Sequence, residues 1–146
     1  TALMMLAGFG MVVGNLTSGR LSDRYTPGRV GATVQGMICI ILLLIFFLAP
    51  HPWCAALLMA SCTACLVAVS SPEQVSIIRV AAGGEMFGAA CVQVAFNLGN
   101  AIGAYCGGKV LHWGYQYPAL IGVPLALVGF ILLTRYYKKY ESQYHS

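Results

Sequence analysis

The chain has 146 residues, of which 59% are hydrophobic and only 8% are Asp, Glu, Lys or Arg, with a formal net charge of +4 and a mean hydropathy of +0.78. A soluble domain carries about 25% charged residues, so this composition excludes an ordinary water-soluble globule and makes the lipid bilayer the solvent. The positive charge is sparse and confined to connections and the tail, which marks membrane topology and gives no ground for a nucleic-acid partner.

A spanning helix needs about 20 mostly apolar residues, because the hydrocarbon core is about 30 Å thick and each helical residue rises about 1.5 Å. Five stretches qualify, at 1–18, 30–49, 53–70, 84–107 and 117–133. The expected fold is therefore all-α, a polytopic transmembrane helix bundle of five spans forming one domain, with a tail at 134–146. The first span carries Gly10, Gly14 and Ser18 at four-residue spacing, with Asn15 beside them. Small residues so spaced let two helix backbones approach closely.

The first connection holds Gly19, Arg20, Asp23 and Arg24, then Pro27-Gly28-Arg29. Asp23 among arginines could accept charge-assisted hydrogen bonds or favour a helix N-terminus, and so lock two helix ends together. The plainer reading is a retention signal of positive charge. The very short Pro50-His51-Pro52 joins the second and third spans. Ser71-Pro72-Glu73-Gln74 has the form of an N-cap, a first-turn proline and early acidic and amide residues, predicting a separate short surface helix at 72–79.

The fourth span carries two stripes. Gln93, Asn97 and Asn100 fall at i, i+4 and i+7, one narrow side of a helix. Gly99, Gly103 and Gly107, with Gly108 adjacent, form a packing stripe beside it. Amides in hydrocarbon are costly unless they face a neighbour or a water-filled cavity, so the first stripe is either a set of interhelical hydrogen-bond partners or the wall of a substrate path. Glu85 opens this span after Gly83-Gly84. It is a carboxylate favoured at a helix N-terminus and, alternatively, a proton site. Pro124 predicts a kink in the fifth span.

Arg20, Arg24, Arg29, Arg79, Arg135, Lys138 and Lys139 fall on one side of this layout and Lys109 on the other. Positive flanks stay cytoplasmic, so the first span runs outside to inside and the C-terminus is cytoplasmic. Trp53, Trp113, Tyr115 and Tyr117 mark the outer interface, and Tyr136, Tyr137 and Tyr140 the inner one. No signal peptide is visible, and an outside start opening on Thr reads as a piece of something larger.

Cys62-x-x-Cys65 lies mid-span with no His or carboxylate to complete a metal site. The six cysteines are expected to be small buried thiols, with no metal and no cofactor. His51, His112 and His145 share no helix face, which leaves no histidine relay. No span holds a nucleophile and base at workable spacing, so an enzyme is not expected.

Gly19-x-x-x-Asp23-Arg24 followed by Gly28-Arg29 resembles the cytoplasmic-loop signature of major facilitator superfamily transporters, found between their second and third helices and, more loosely, between the eighth and ninth. Tyr25-Thr26-Pro27 stands where one residue is usual, and Val30 where a second basic residue is common, which suits the looser copy. Phe96-Asn97-Leu98-Gly99-Asn100-Ala101-Ile102-Gly103-Ala104, ending in Gly107-Gly108, resembles the eleventh helix of bacterial drug:proton antiporters, arabinose-efflux-permease-like members in particular, as does Ser71-Pro72-Glu73-Gln74.

The resemblance covers essentially the whole chain and implies a partial fold, helices eight to twelve of a twelve-helix transporter in the bacterial inner (plasma) membrane. It implies secondary active efflux of a small organic solute, a drug or a sugar, coupled to protons by alternating access. The partners it implies are the substrate, protons, lipid and the missing N-terminal half. Under it Gln93, Asn97 and Asn100 become the cavity wall, and Gly19, Asp23, Arg24, Gly28 and Arg29 the cytoplasmic gate. Gly103-Ala104-x-x-Gly107-Gly108 is similar to the antiporter glycine motif of the fifth helix, with Ala104 in place of its proline. The essential acid would lie in the missing half. The competing reading is a small membrane protein that transports nothing and uses its glycine stripes to dock partner helices.

Overall fold

A computed structural model describes residues 2–141; Thr1 and residues 142–146, His145 included, lie outside the described residues. The order is α1 (Ala2–Arg24), α2 (Pro27–Leu48), α3 (Pro52–Val80), α4 (Glu85–Val110), a 3-10 turn (Leu111–Trp113), α5 (Tyr117–Tyr136) and a π-helical turn (Tyr137–Glu141). No strand occurs among the described residues. Four segments, Pro27–Leu48, Pro52–Val80, Glu85–Trp113 and Tyr117–Glu141, are long and apolar enough to cross a membrane. With its 23 residues, α1 reaches about 34 Å at the helical rise. The chain is thus an all-helical membrane bundle.

Short turns make successive helices antiparallel, and α3 runs through the middle. It packs against α1 on one side and α2 on another, α5 packs on α2, and α4 leans on α3 and α5. The core joins Ile38, Cys39 and Ile45 of α2 to Cys62 and Val69 of α3 and to Ala119 and Ala126 of α5. The α1–α2, α3–α4 and C-terminal connections lie at one end with seven of the eight basic residues, and Lys109 lies at the other.

Close packing is set by small residues. A Cβ at Gly14 would lie 2.7 Å from the carbonyl oxygen of Ala64, and one at Gly10 would lie 3.5 Å from the Ala64 Cβ, so α1 and α3 cross nearly backbone to backbone there. Ser18 and Ser22 continue this contact towards the basic end, 4% and 2% exposed, and their hydroxyls find no hydrogen-bond partner. Between α2 and α5, Gln35 Nε2 donates to the Ala126 carbonyl at 3.1 Å, reaching over Gly129, where a Cβ would lie 2.8 Å from that nitrogen.

Three expectations about elements change. The first helix continues to Arg24, so Gly19 to Arg24 are helical and the connection shrinks to Tyr25 and Thr26, with Pro27 already opening α2. No separate helix forms at 72–79; α3 runs unbroken through Pro72. That proline lacks one backbone donor, but its ring is fully buried, with its Cγ against Gly31 of α2, and packing holds the helix through it. Finally, the cysteines are not uniformly buried: Cys39 and Cys62 are, whereas Cys54 and Cys91 are exposed; all six are free thiols. α5 likewise continues past Pro124 as one helix.

Candidate functional site

Two turns place α4. At the basic end Gly83 takes φ +83, a left-handed conformation that glycine adopts without strain, and its N–H donates to Glu85 Oε1 at 3.0 Å. Glu85 thereby closes the start of α4, exposed at the helix N-terminus, where the macrodipole favours a carboxylate. One turn on, Gly88 is pressed against α3: a Cβ there would lie 2.9 Å from Ile77 Cγ2. At the far end Gly107 faces Pro118 of α5 at 3.7 Å and Val110 is buried.

Between these two anchorages α4 stands away from its neighbours. A cleft of about 880 Å³ opens there between α3, α4 and α5, lined almost wholly by apolar side chains, among them Leu66, Phe96, Leu125 and Leu133. Nothing lies within 4 Å of a Cβ built at Gly99, Gly103 or Gly108. Of the glycines expected to pack, Gly10 and Gly14 on α1 and Gly107 on α4 do meet neighbouring helices, whereas Gly99 lines the cleft and Gly103 and Gly108 are exposed.

Gln93, Asn97 and Asn100 share one side of α4 and all three are exposed. Their side-chain amides hydrogen-bond to no other described residue. Asn100 lines the cleft; Gln93 and Asn97 do not. At about 100° per residue these two turn away from Val92, which is buried against the bundle, so the amides are not partners of α3 or α5.

Asp23 and Arg24 stand exposed on the last turn of α1 with Arg20, without an ion pair among the described residues. Gly28 and Arg29 begin α2, where Arg29 lies over the Tyr25 ring at 5.8 Å. The lock forms elsewhere. Thr26 supplies no side-chain cap to α2, and the Gly28 N–H instead donates to Glu141 Oε2 at 2.8 Å. The C-terminal turn thus docks on the start of α2, and a Cβ at Gly28 would lie 2.6 Å from that oxygen.

The residue that reading the sequence missed is Glu73. Taken as the first turn of a surface helix, it looked solvated; on the continuous α3 it is half-buried and lines the cleft. The signal was available in spacing, because Leu66, Glu73, Ile77 and Val80 follow one face at i, i+7, i+11 and i+14. Glu85 does not line that cleft. No group of three or more His, Cys, Asp and Glu that could hold a metal exists among the described residues.

The model of the Major Facilitator Superfamily matches residues 1–145. The chain belongs to that superfamily. AraJ of Escherichia coli (strain K12), named as a transporter, is 42% identical over 98% of the chain and 36% of its own length. The inner membrane transport protein YdhP of the same strain is 35% identical over 91% of the chain and 34% of its length. The methylenomycin A resistance protein of Bacillus subtilis (strain 168) is 31% identical over 87% of the chain and 28% of its length. The chain therefore spans about a third of the length of these curated relatives. No solved structure matches it.

Proposed function

We propose that this chain is the C-terminal portion, helices eight to twelve, of a proton-coupled secondary transporter that exports a small organic solute across the bacterial inner membrane by alternating access. Its basic end, with the C-terminus, faces the cytoplasm. Superfamily membership supports transport as such, and the resistance named for one relative favours export. The observation that carries the reading is the open side of α4, where Gln93, Asn97 and Asn100 find no partner within the bundle. Uncharged amides on a spanning helix need a polar neighbour, and a second helix bundle facing them across an aqueous route would supply it. In this reading Asp23 and Arg24, exposed at the basic end, bind that second bundle when the route closes on the cytoplasmic side.

The test uses the full-length protein in proteoliposomes. Asn97→Ala and Gln93→Ala each lower solute-driven proton flux at least about tenfold in kcat/KM, about 1.4 kcal/mol, with membrane insertion unchanged. Unaltered flux in both variants moves the stripe to a packing role. That outcome would favour the docking-protein reading, which draws its support from the unfilled Gly99 and Gly103 positions.

A further inference from the structure

Hydroxyls on a helix readily return to their own backbone. Thr17, Thr33, Ser61, Thr63, Ser76 and Thr134 each donate to the carbonyl four residues back, at 2.7–2.9 Å. Ser18 and Ser22 do not, although they are among the most buried residues of the chain. Neither hydroxyl has a hydrogen-bond partner among the described residues, and neither has Thr26 Oγ1 just beyond them. A buried hydroxyl left unpaired is costly, and neighbouring ones on a single seam call for a common explanation.

An acceptor stands at the same level. α1 and α3 run in one direction, with Gly10 and Gly14 against Ala60 and Ala64 and Gly19 against Ser71. One turn beyond Ala64, Ser18 is therefore level with Ala68, and Ser22 with Pro72. Proline has no N–H, so the Ala68 carbonyl lacks its helical donor, and Ala68 is itself buried. Ser70 does not replace that donor, because its hydroxyl goes to the Val67 carbonyl at 2.7 Å.

The seam also widens here. A Cβ at Gly14 would press on three main-chain atoms of Ala64, the nearest at 2.7 Å, whereas one at Gly19 would meet only the Ser71 hydroxyl oxygen, at 3.6 Å. Buried donors and a buried acceptor that share a seam but lie too far apart to bond directly are the setting in which a bridging water is held.

We propose that the basic end of the α1–α3 seam binds ordered water, which links the Ser18 and Ser22 hydroxyls to the Ala68 carbonyl freed by Pro72. The outer end of the seam is then fixed backbone to backbone, and the inner end, beside Asp23 and Arg24, through exchangeable water. A sodium ion is the competing occupant, but two hydroxyls and one carbonyl bring no negative charge to offset a buried cation.

Melting of the detergent-solubilised full-length protein tests the proposal. Ser18→Ala and Ser22→Ala should each lower the melting temperature by about 2 °C, the scale of one lost hydrogen bond. Hydroxyls buried dry would give the opposite sign, because alanine removes the unpaired group. Pro72→Ala returns an N–H to the Ala68 carbonyl, and in that background the cost of both serine variants should largely vanish. Hydroxyls that only turn back to their own helix would give a cost that Pro72→Ala leaves unchanged. X-ray footprinting, in which hydroxyl radicals arise from held water, keeps the proposal testable if Pro72→Ala fails to fold. It should oxidise the fully buried Pro72 in the unaltered protein, and Ser22→Val, which fills the seam, should suppress that labelling. A rise in melting temperature on either serine change, a cost that persists without Pro72, or labelling of Pro72 that is absent or equal in Ser22→Val overturns the proposal. Stabilisation by sodium over choline that is lost in Ser22→Ala overturns it in favour of the ion.

Discussion

The α1–α3 crossing gives the sharpest structural test. Gly14→Ala places a Cβ 2.7 Å from the Ala64 carbonyl oxygen and 3.3 Å from its carbon, both main-chain atoms that cannot rotate away. The helices must part, and such overpacking costs about 1–3 kcal/mol. Against this, replacing a mid-helix glycine by alanine gains about 1 kcal/mol of helix propensity. Gly10→Ala collects the same gain, but its Cβ meets the Ala64 side chain at 3.5 Å, an ordinary van der Waals distance. Propensity therefore cancels between the two variants, and their difference isolates the clash at about 1–3 kcal/mol. Melting of the detergent-solubilised full-length protein, followed by fluorescence-detected size exclusion, should place Gly14→Ala clearly below Gly10→Ala. Adding Ala64→Gly should not rescue Gly14→Ala, because the obstructing atom belongs to the backbone. Equal melting of the two alanine variants, or rescue by Ala64→Gly, would refute the backbone-to-backbone crossing.

Other consequences are simpler to state. Gly28→Ala, whose Cβ would strike the Glu141 carboxylate, and Glu141→Ala, which removes the acceptor, should each loosen the C-terminal turn from α2 by about 1 kcal/mol, the scale of one hydrogen bond, and the double variant should cost no more than either alone; tail proteolysis measures this, and additive effects would show that the two groups do not meet. Gln35→Ala leaves the Ala126 carbonyl without its side-chain donor and should lower stability by about 1 kcal/mol, visible as a drop in melting temperature, while Thr33→Val on the exposed side of α2 should change little. The amide variants Gln93→Ala and Asn97→Ala act on flux, as set out above.

The local logic of this chain is legible in one dimension because each spanning helix satisfies its own backbone. Apolar length, the charged connections and the position of the small residues on α1 follow from counting residues. The same counting put Gln93, Asn97 and Asn100 on one side of a helix, correctly as geometry. It could not say which side, since that depends on where α3 and α5 stand.

Pro72 shows where such reading stops. Considered alone, Ser71-Pro72-Glu73 is a helix start; buried against Gly31 of α2, the proline is instead carried inside a longer helix by contacts from a segment some forty positions earlier. That single change moves Glu73 from the surface into the cleft and makes it, rather than Glu85, the acid of that space. Glu141 on Gly28, 113 positions apart, is a second case. By itself the sequence determined the membrane class, the helices and their polar stripes, because bilayer thickness and helical periodicity act on neighbours along the chain. Only the tertiary structure decided which polar groups share a space, because that depends on how closely residues far apart in sequence let their backbones approach.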